Sequence, residues 1–232
     1  MNNTLIPLLG SIIPLLLFAF FAIFLFKQYR KKEKLLMEKM NMLGFSFVEE
    51  LRHPIMNKRN NFWIFSGYEK QIIKMFEKED ELIKITIFNF YSYPKLSTIQ
   101  NRKSRKFYSQ VVLMFESNSL NLPLFKLSQE KLSNKIGALF GYKDINFDNY
   151  PKFSSRYLLN GKDEDRVREF FSSDILDFFT DNKEKVNIEG ENNILLFYKE
   201  RKKNQLVSIP IKNIESMIEQ GKNIFNIFSQ KY

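Results

Sequence analysis

Acidic residues at alternating positions carry the first chemistry to consider. Asp144–Ile145–Asn146–Phe147–Asp148 repeats the D-x-N-x-D opening of a calcium loop, where alternate side-chain oxygens converge on one hard cation. Such a loop then needs glycine at its sixth position and a bidentate glutamate at its twelfth. Those positions hold Asn149 and Ser155, with Pro151 between them. The expectation is therefore that Asp144 and Asp148 make turns by accepting backbone N–H groups. Asp163–Glu164–Asp165 is a second acidic group. Paired carboxylates do acid–base work when their surroundings separate their pKa values. The same residues also suit a first helical turn, where negative charge meets the positive end of the dipole, and that reading is preferred.

Other reactive side chains are few. The one histidine, His53, stands beside Pro54 with nothing around it that resembles a nucleophile–base pair. The chain has no cysteine, which excludes disulfides, thiolate metal sites and a cysteine nucleophile. Glycine-rich phosphate loops are absent. No catalytic, cofactor-binding or metal-ligating residue is assigned, and no cofactor is expected. Asn101–Arg102–Lys103–Ser104–Arg105–Lys106–Phe107–Tyr108 mixes positive charge with aromatics, as a single-strand nucleic-acid site would. Its aromatics run straight into a predicted strand, where packing employs them instead, and no named nucleic-acid motif matches.

The elements that must position these groups begin with Leu5–Phe26, LIPLLGSIIPLLLFAFFAIFLF, 22 residues without a charge. About 20 apolar residues in helical form cross a bilayer core. No Lys or Arg precedes the run, whereas Lys27, Arg30, Lys31, Lys32 and Lys34 follow it against Glu33 alone, giving +4 of the net +10. The positive-inside bias puts this flank in the cytoplasm. A cleaved secretory signal fits poorly, because the start is uncharged and Phe and Leu fill the end of the run. Leu35, Leu36, Met37, Met40 and Leu43 continue a helical pattern that Gly44 suits as an ending. The basic flank also suits anionic lipid headgroups, with topology alone as the plainer explanation.

Beyond the flank the expected class is α+β: an N-terminal transmembrane helix, then an antiparallel-sheet-rich region with helices in its C-terminal half. Strands are predicted at 62–66, 71–77, 82–93, 106–116 and, with Pro123 tolerated at an edge, 120–127. Ser128 is read as the N-cap of a short helix bearing Leu132, Ile136, Leu139 and Phe140. A strand over 156–159 and short helices from 163 and 172 follow. Residues 186–188 and 194–198 read as a hairpin around Glu189–Gly190–Glu191–Asn192–Asn193. Ile211, Ile214, Met217, Ile218, Gly221, Phe225 and Phe228 recur at helical spacing after Pro210. The expected organisation is a short outer N-terminus at 1–4, a transmembrane helix at 5–26, a basic juxtamembrane helix at 27–44, a strand-rich subdomain at 45–127 and a mixed subdomain at 128–232.

Leu122–Pro123–x–Phe125, Glu130, Asp144–Ile145–x–Phe147, Phe153–Ser154, Tyr157–Leu158–Leu159–x–Gly161, Asp163–Glu164 and Val167–Arg168 form a pattern over 120–171. In it the chain resembles a group of uncharacterised bacterial proteins with one N-terminal membrane segment and a cytoplasmic domain. Leu124 and Asn146 stand where that group tends to have Asp. The resemblance implies a bacterial inner-membrane protein and brings no activity or site residue with it.

The expected function is that of a membrane-anchored accessory or interaction domain on the cytoplasmic face. Its partners would be the lipid bilayer through 5–26, anionic headgroups at the flank and a protein. The competing readings are a carboxylate-based hydrolase using residues 144–165 and a nucleic-acid-binding tether through 102–108.

Overall fold

The computed structural model describes residues 5–49, 61–65, 68–94, 108–129, 144–181, 186–199, 202–203 and 207–229; for 5–13, 68–70, 93, 94, 202 and 203 it describes the backbone alone. The chain divides into two compact units, Met1–Gly44 and Phe45–Tyr232.

The first unit is one helix, α1 (Leu5–Met42), which continues on both sides of Pro14. At 1.5 Å per residue it is roughly 57 Å long. Leu43 N–H donates to Lys39 O, Gly44 N–H to Asn41 O, and Gly44 adopts φ 79°. That left-handed conformation is cheap only for a residue without Cβ, which is why glycine stands where the helix stops. Among the described residues no helix is long and apolar enough to cross a membrane. The part of the charge-free run whose side chains are described is Pro14–Phe26.

The second unit is α+β, built among the described residues on one nine-stranded antiparallel sheet. Its strands are β1 (Ser46–Phe47), β2 (Tyr68–Glu79), β3 (Lys84–Pro94), β4 (Tyr108–Glu116), β5 (Leu122–Gln129), β6 (Tyr157–Gly161), β7 (Asn187–Asn192), β8 (Ile194–Tyr198) and β9 (Lys202–Lys203). The order is β1-β2-β3-β4-β8-β7-β5-β6, with β9 following β8 along β4. Strands from both sides of residue 128 thus alternate in one sheet. Among the described residues four short or medium helices accompany it: α2 (Pro151–Arg156), α3 (Glu164–Phe170), α4 (Ser173–Asp181) and α5 (Ile214–Ser229).

Side-chain alternation gives the sheet two faces. One carries Leu113, Phe115, Phe125, Ile188 and Phe197. Here Phe125 meets Phe171 at 5.1 Å and Phe228 at 5.5 Å, and Phe170 stacks on Phe228 at 5.7 Å. Close approach at this face requires glycine twice. A Cβ at Gly190 would run into the Phe125 ring, and one at Gly221 would stand 2.7 Å from Phe115 Cζ. The stretch before α5 is tied to the same face: Val207 O accepts from Asn89 Nδ2 at 2.7 Å and Tyr91 Oη at 3.1 Å, and Val207 N–H donates to Ser109 Oγ.

The opposite face carries Phe88, Phe90, Val112, Met114, Leu196 and Tyr198, covered by a 3-10 turn, Trp63–Phe65. Ile72 and Met75 join this cluster although they are an odd number of positions, three, apart. A bulge between Ile72 and Lys74 makes this fit, since the extra residue resets the alternation and leaves Ile73 exposed.

Several expectations need correction. Residues 62–66 do not form a strand: Trp63–Phe65 is a 3-10 turn whose Phe62, Ile64 and Phe65 plug the sheet face. Ser128 caps no helix, because it lies within β5 opposite Leu158. The helix expected beyond it, at 132–140, lies outside the described residues. The strand expected from 156 starts at Tyr157, because Arg156 closes a short helix, Pro151–Arg156, whose first turn Pro151 suits. The final helix starts at Ile214, not at Ile211, with Ile214, Met217, Ile218, Gly221, Ile224 and Phe228 buried.

Candidate functional site

Along α1 every large apolar side chain from Leu15 to Phe26 is exposed, at 49% to 72%. A helix that is apolar all round has no solvent face, and a helix of this kind is stable only when something apolar surrounds it. The flanking Lys27, Arg30, Lys31, Lys32 and Lys34 are exposed as well. Arg30 lies over the Phe26 ring at 6.0 Å from its centroid, and Lys34 Nζ is 3.8 Å from Glu38 in an open i,i+4 pair.

The acidic motifs have local roles. Asp144 Oδ1 accepts from Leu159 N–H at 3.1 Å and its Oδ2 from Asn146 Nδ2 at 3.2 Å. Ile145 N–H donates to Leu159 O, so this stretch lies along the outer side of β6. Asp148 is exposed in a turn. Asp163 is the N-cap of α3, accepting from Arg166 N–H at 3.0 Å, and Glu164 pairs with Arg168 at 2.7 Å. All five carboxylates of 144–165 are exposed and share no buried cleft, so the hydrolase reading has no site on them. Among the described residues no three His, Asp or Glu side chains gather to hold a metal. His53 and Asn101–Phe107 lie outside the described residues; Tyr108 opens β4.

Several residues of the 120–171 pattern meet one another, while Glu130 lies outside the described residues. Phe147 N–H donates to Ser154 Oγ at 2.9 Å, and Arg168 donates to Asn146 O at 2.7 Å while covering the Phe147 ring. Phe125 pairs with Gly161 across β5 and β6, and Val167 fills the space beside Gly161. These residues pack around β6.

The chemically most unusual residue is one that the sequence reading placed in a loop. Glu189 lies inside β7, fully buried on the face covered by the 3-10 turn. Its carboxylate accepts from Tyr198 Oη at 2.5 Å and from Ile64 N–H at 3.1 and 3.2 Å; Lys126 Nζ stands 3.9 Å away. Burial pushes the Glu189 carboxyl above the ordinary carboxylate range; Lys126, Tyr198 and the backbone N–H groups of Ile64 and Trp63 pull it partly back. Two positions on, Glu191 accepts from Asn61 Nδ2 at 2.5 Å. These two glutamates fasten the 61–65 turn to the sheet. Turn-forming Gly190, Asn192 and Asn193 hid the strand. The available signal was the alternation of Ile188 and Gly190 with Glu189 and Glu191.

No known family model matches the chain, and no curated protein matches it. Among solved structures, the crystal structure of the mycobacterial trehalose monomycolate transport factor A, TtfA, resembles it with a TM-score of 0.54 at 10% identity, over 84% of this chain and 90% of that one. The likeness is one of fold.

Proposed function

We propose that the chain is a single-pass membrane-anchored accessory or interaction domain whose folded unit works on the cytoplasmic face. One observation carries this: a helix apolar on every side runs without interruption into a basic band and then into a closed α+β unit. The described part of the run, Pro14–Phe26, extends in sequence through Leu5–Ile13 to 22 charge-free residues. That length matches a bilayer core. The basic residues on its C-terminal side alone favour a cytoplasmic domain. The resemblance over 120–171 supports a bacterial inner membrane as the site of action.

The fold neighbour is a transport factor by its title. At 10% identity its cargo does not carry over. What it supports is the coarser idea that this sheet-and-helix unit assists a membrane process by holding a protein partner or a lipid. Tethering raises the local concentration of such a partner without adding a contact.

The test is purification of the C-terminally tagged full chain from native membranes in mild detergent, with residues 1–44 alone as the control. The expected result is a protein retained in near-stoichiometric amount by the full chain and missing from the control. Identical protein sets from both would overturn the accessory role.

A further inference from the structure

We propose that Lys27, Arg30, Lys31 and Lys34 form a binding stripe for anionic phospholipid headgroups, an inference that rests on the membrane-anchored reading. These positions are spaced i, i+3, i+4 and i+7, which places them on one face of α1. The helix does not break between the apolar run and this stripe, so the charges are held at fixed heights below Phe26. With a rise of 1.5 Å per residue, Lys27 and Arg30 lie within about 6 Å of the end of the run and Lys34 at about 12 Å. The headgroup layer on each side of a bilayer is roughly 5–7 Å deep. Lys27 and Arg30 thus stand at headgroup height, and Lys31, at about 7.5 Å, and Lys34 reach back along their flexible stems.

The neighbours fit that placement. Arg30 lies over the exposed ring of Phe26, and Tyr29, 55% exposed, sits at the same level, where amphipathic aromatics mark the boundary between hydrocarbon and water. The contact of Lys34 with Glu38 is long and solvated, with both side chains more than half exposed. The stripe matches phosphate-bearing headgroups in charge and in height.

The experiment uses the full chain in mixed micelles of a non-ionic detergent with equal phosphatidylcholine and phosphatidylglycerol, and native mass spectrometry counts the retained lipids. A micelle has no sides, so a change in topology cannot imitate a change in lipid preference. Each basic side chain near an anionic surface shifts partitioning by about fivefold. The wild-type chain is expected to retain phosphatidylglycerol over phosphatidylcholine by about fivefold or more. The combined K27Q/R30Q/K31Q/K34Q variant, which keeps Lys32, should lose at least about fivefold of that preference, and K27R/K31R/K34R should keep it. Raising the salt to 1 M should shrink the preference, as screening requires. Equal retention by the wild type, or an undiminished preference in the Gln variant, overturns the inference. Alkaline carbonate extraction of the source membranes separates the two failures. A chain that stays in the pellet but shows no lipid preference refutes the stripe alone, whereas a chain released by carbonate refutes the anchor.

Discussion

Glu189 concentrates the electrostatics of the folded unit in a single side chain. Its pKa is raised on folding, with burial as the leading cause, so folding favours the protonated form. Its contribution to stability is complete below the ordinary carboxylate value and is lost as pH rises through the raised folded value. The melting temperature of the full chain in non-ionic detergent should therefore fall across that window. Glu189→Gln, which cannot titrate, should remove this component of the pH dependence; an unchanged pH profile would contradict the assignment. Tyr198→Phe deletes the hydroxyl that donates to the carboxylate, should cost about 1.5–3 kcal/mol at neutral pH, and should move the window further up. Chemical denaturation at several pH values reads both effects. Sequence reasoning missed this residue for a definite reason. Gly190, Asn192 and Asn193 carry strong turn signals, but Gly190 is glycine because the Phe125 ring occupies the space its Cβ would fill. The turn itself is confined to Asn192–Asn193, with Asn192 at φ 53°.

Secondary structure was most legible where periodicity ran long. β2, β3, β4 and α5 follow from alternation or from three-and-four spacing, and Asp163 caps α3 as its position suggested. The 3-10 turn was not legible, because Phe62, Ile64 and Phe65 have the composition of a strand. Their register comes from a distant carboxylate, Glu189, binding Ile64 N–H. The packing of α5 on the sheet gives a sharp test. Gly221→Val would force a side chain into Phe115 and Leu113, so a loss of about 1–3 kcal/mol is expected. The exposed neighbour Lys222→Ala should stay within about 0.5 kcal/mol. Equal effects at both positions would show that α5 does not pack as described. At the outer side of β6, Asp144→Ala should cost about 1 kcal/mol by leaving Leu159 N–H without its acceptor. Millimolar calcium should leave the wild-type melting temperature unchanged, because both Asp144 oxygens are already engaged.

At the scale of the whole molecule, the order of the sheet is where local reading stops. The β7–β8 hairpin enters between β4 and β5, and Ser117 N–H bonds to Asn193 O as the chain passes its turn. No local pattern specifies that insertion, because it depends on non-local pairing and on which hydrophobic faces must be covered together. The division into an N-terminal helical unit and one α+β unit is simpler: composition changes abruptly at the basic flank and Gly44 ends the helix. In the proposed function the apolar run holds the chain in a membrane with its folded unit in the cytoplasm. The most direct test takes the C-terminally tagged full chain in bacterial spheroplasts, combining alkaline carbonate washing with protease digestion before and after lysis. The expected result is a chain that stays with the membranes through the wash, and a tag protected in intact spheroplasts but digested once they are opened. Release by carbonate, or digestion of the tag in intact spheroplasts, would contradict it.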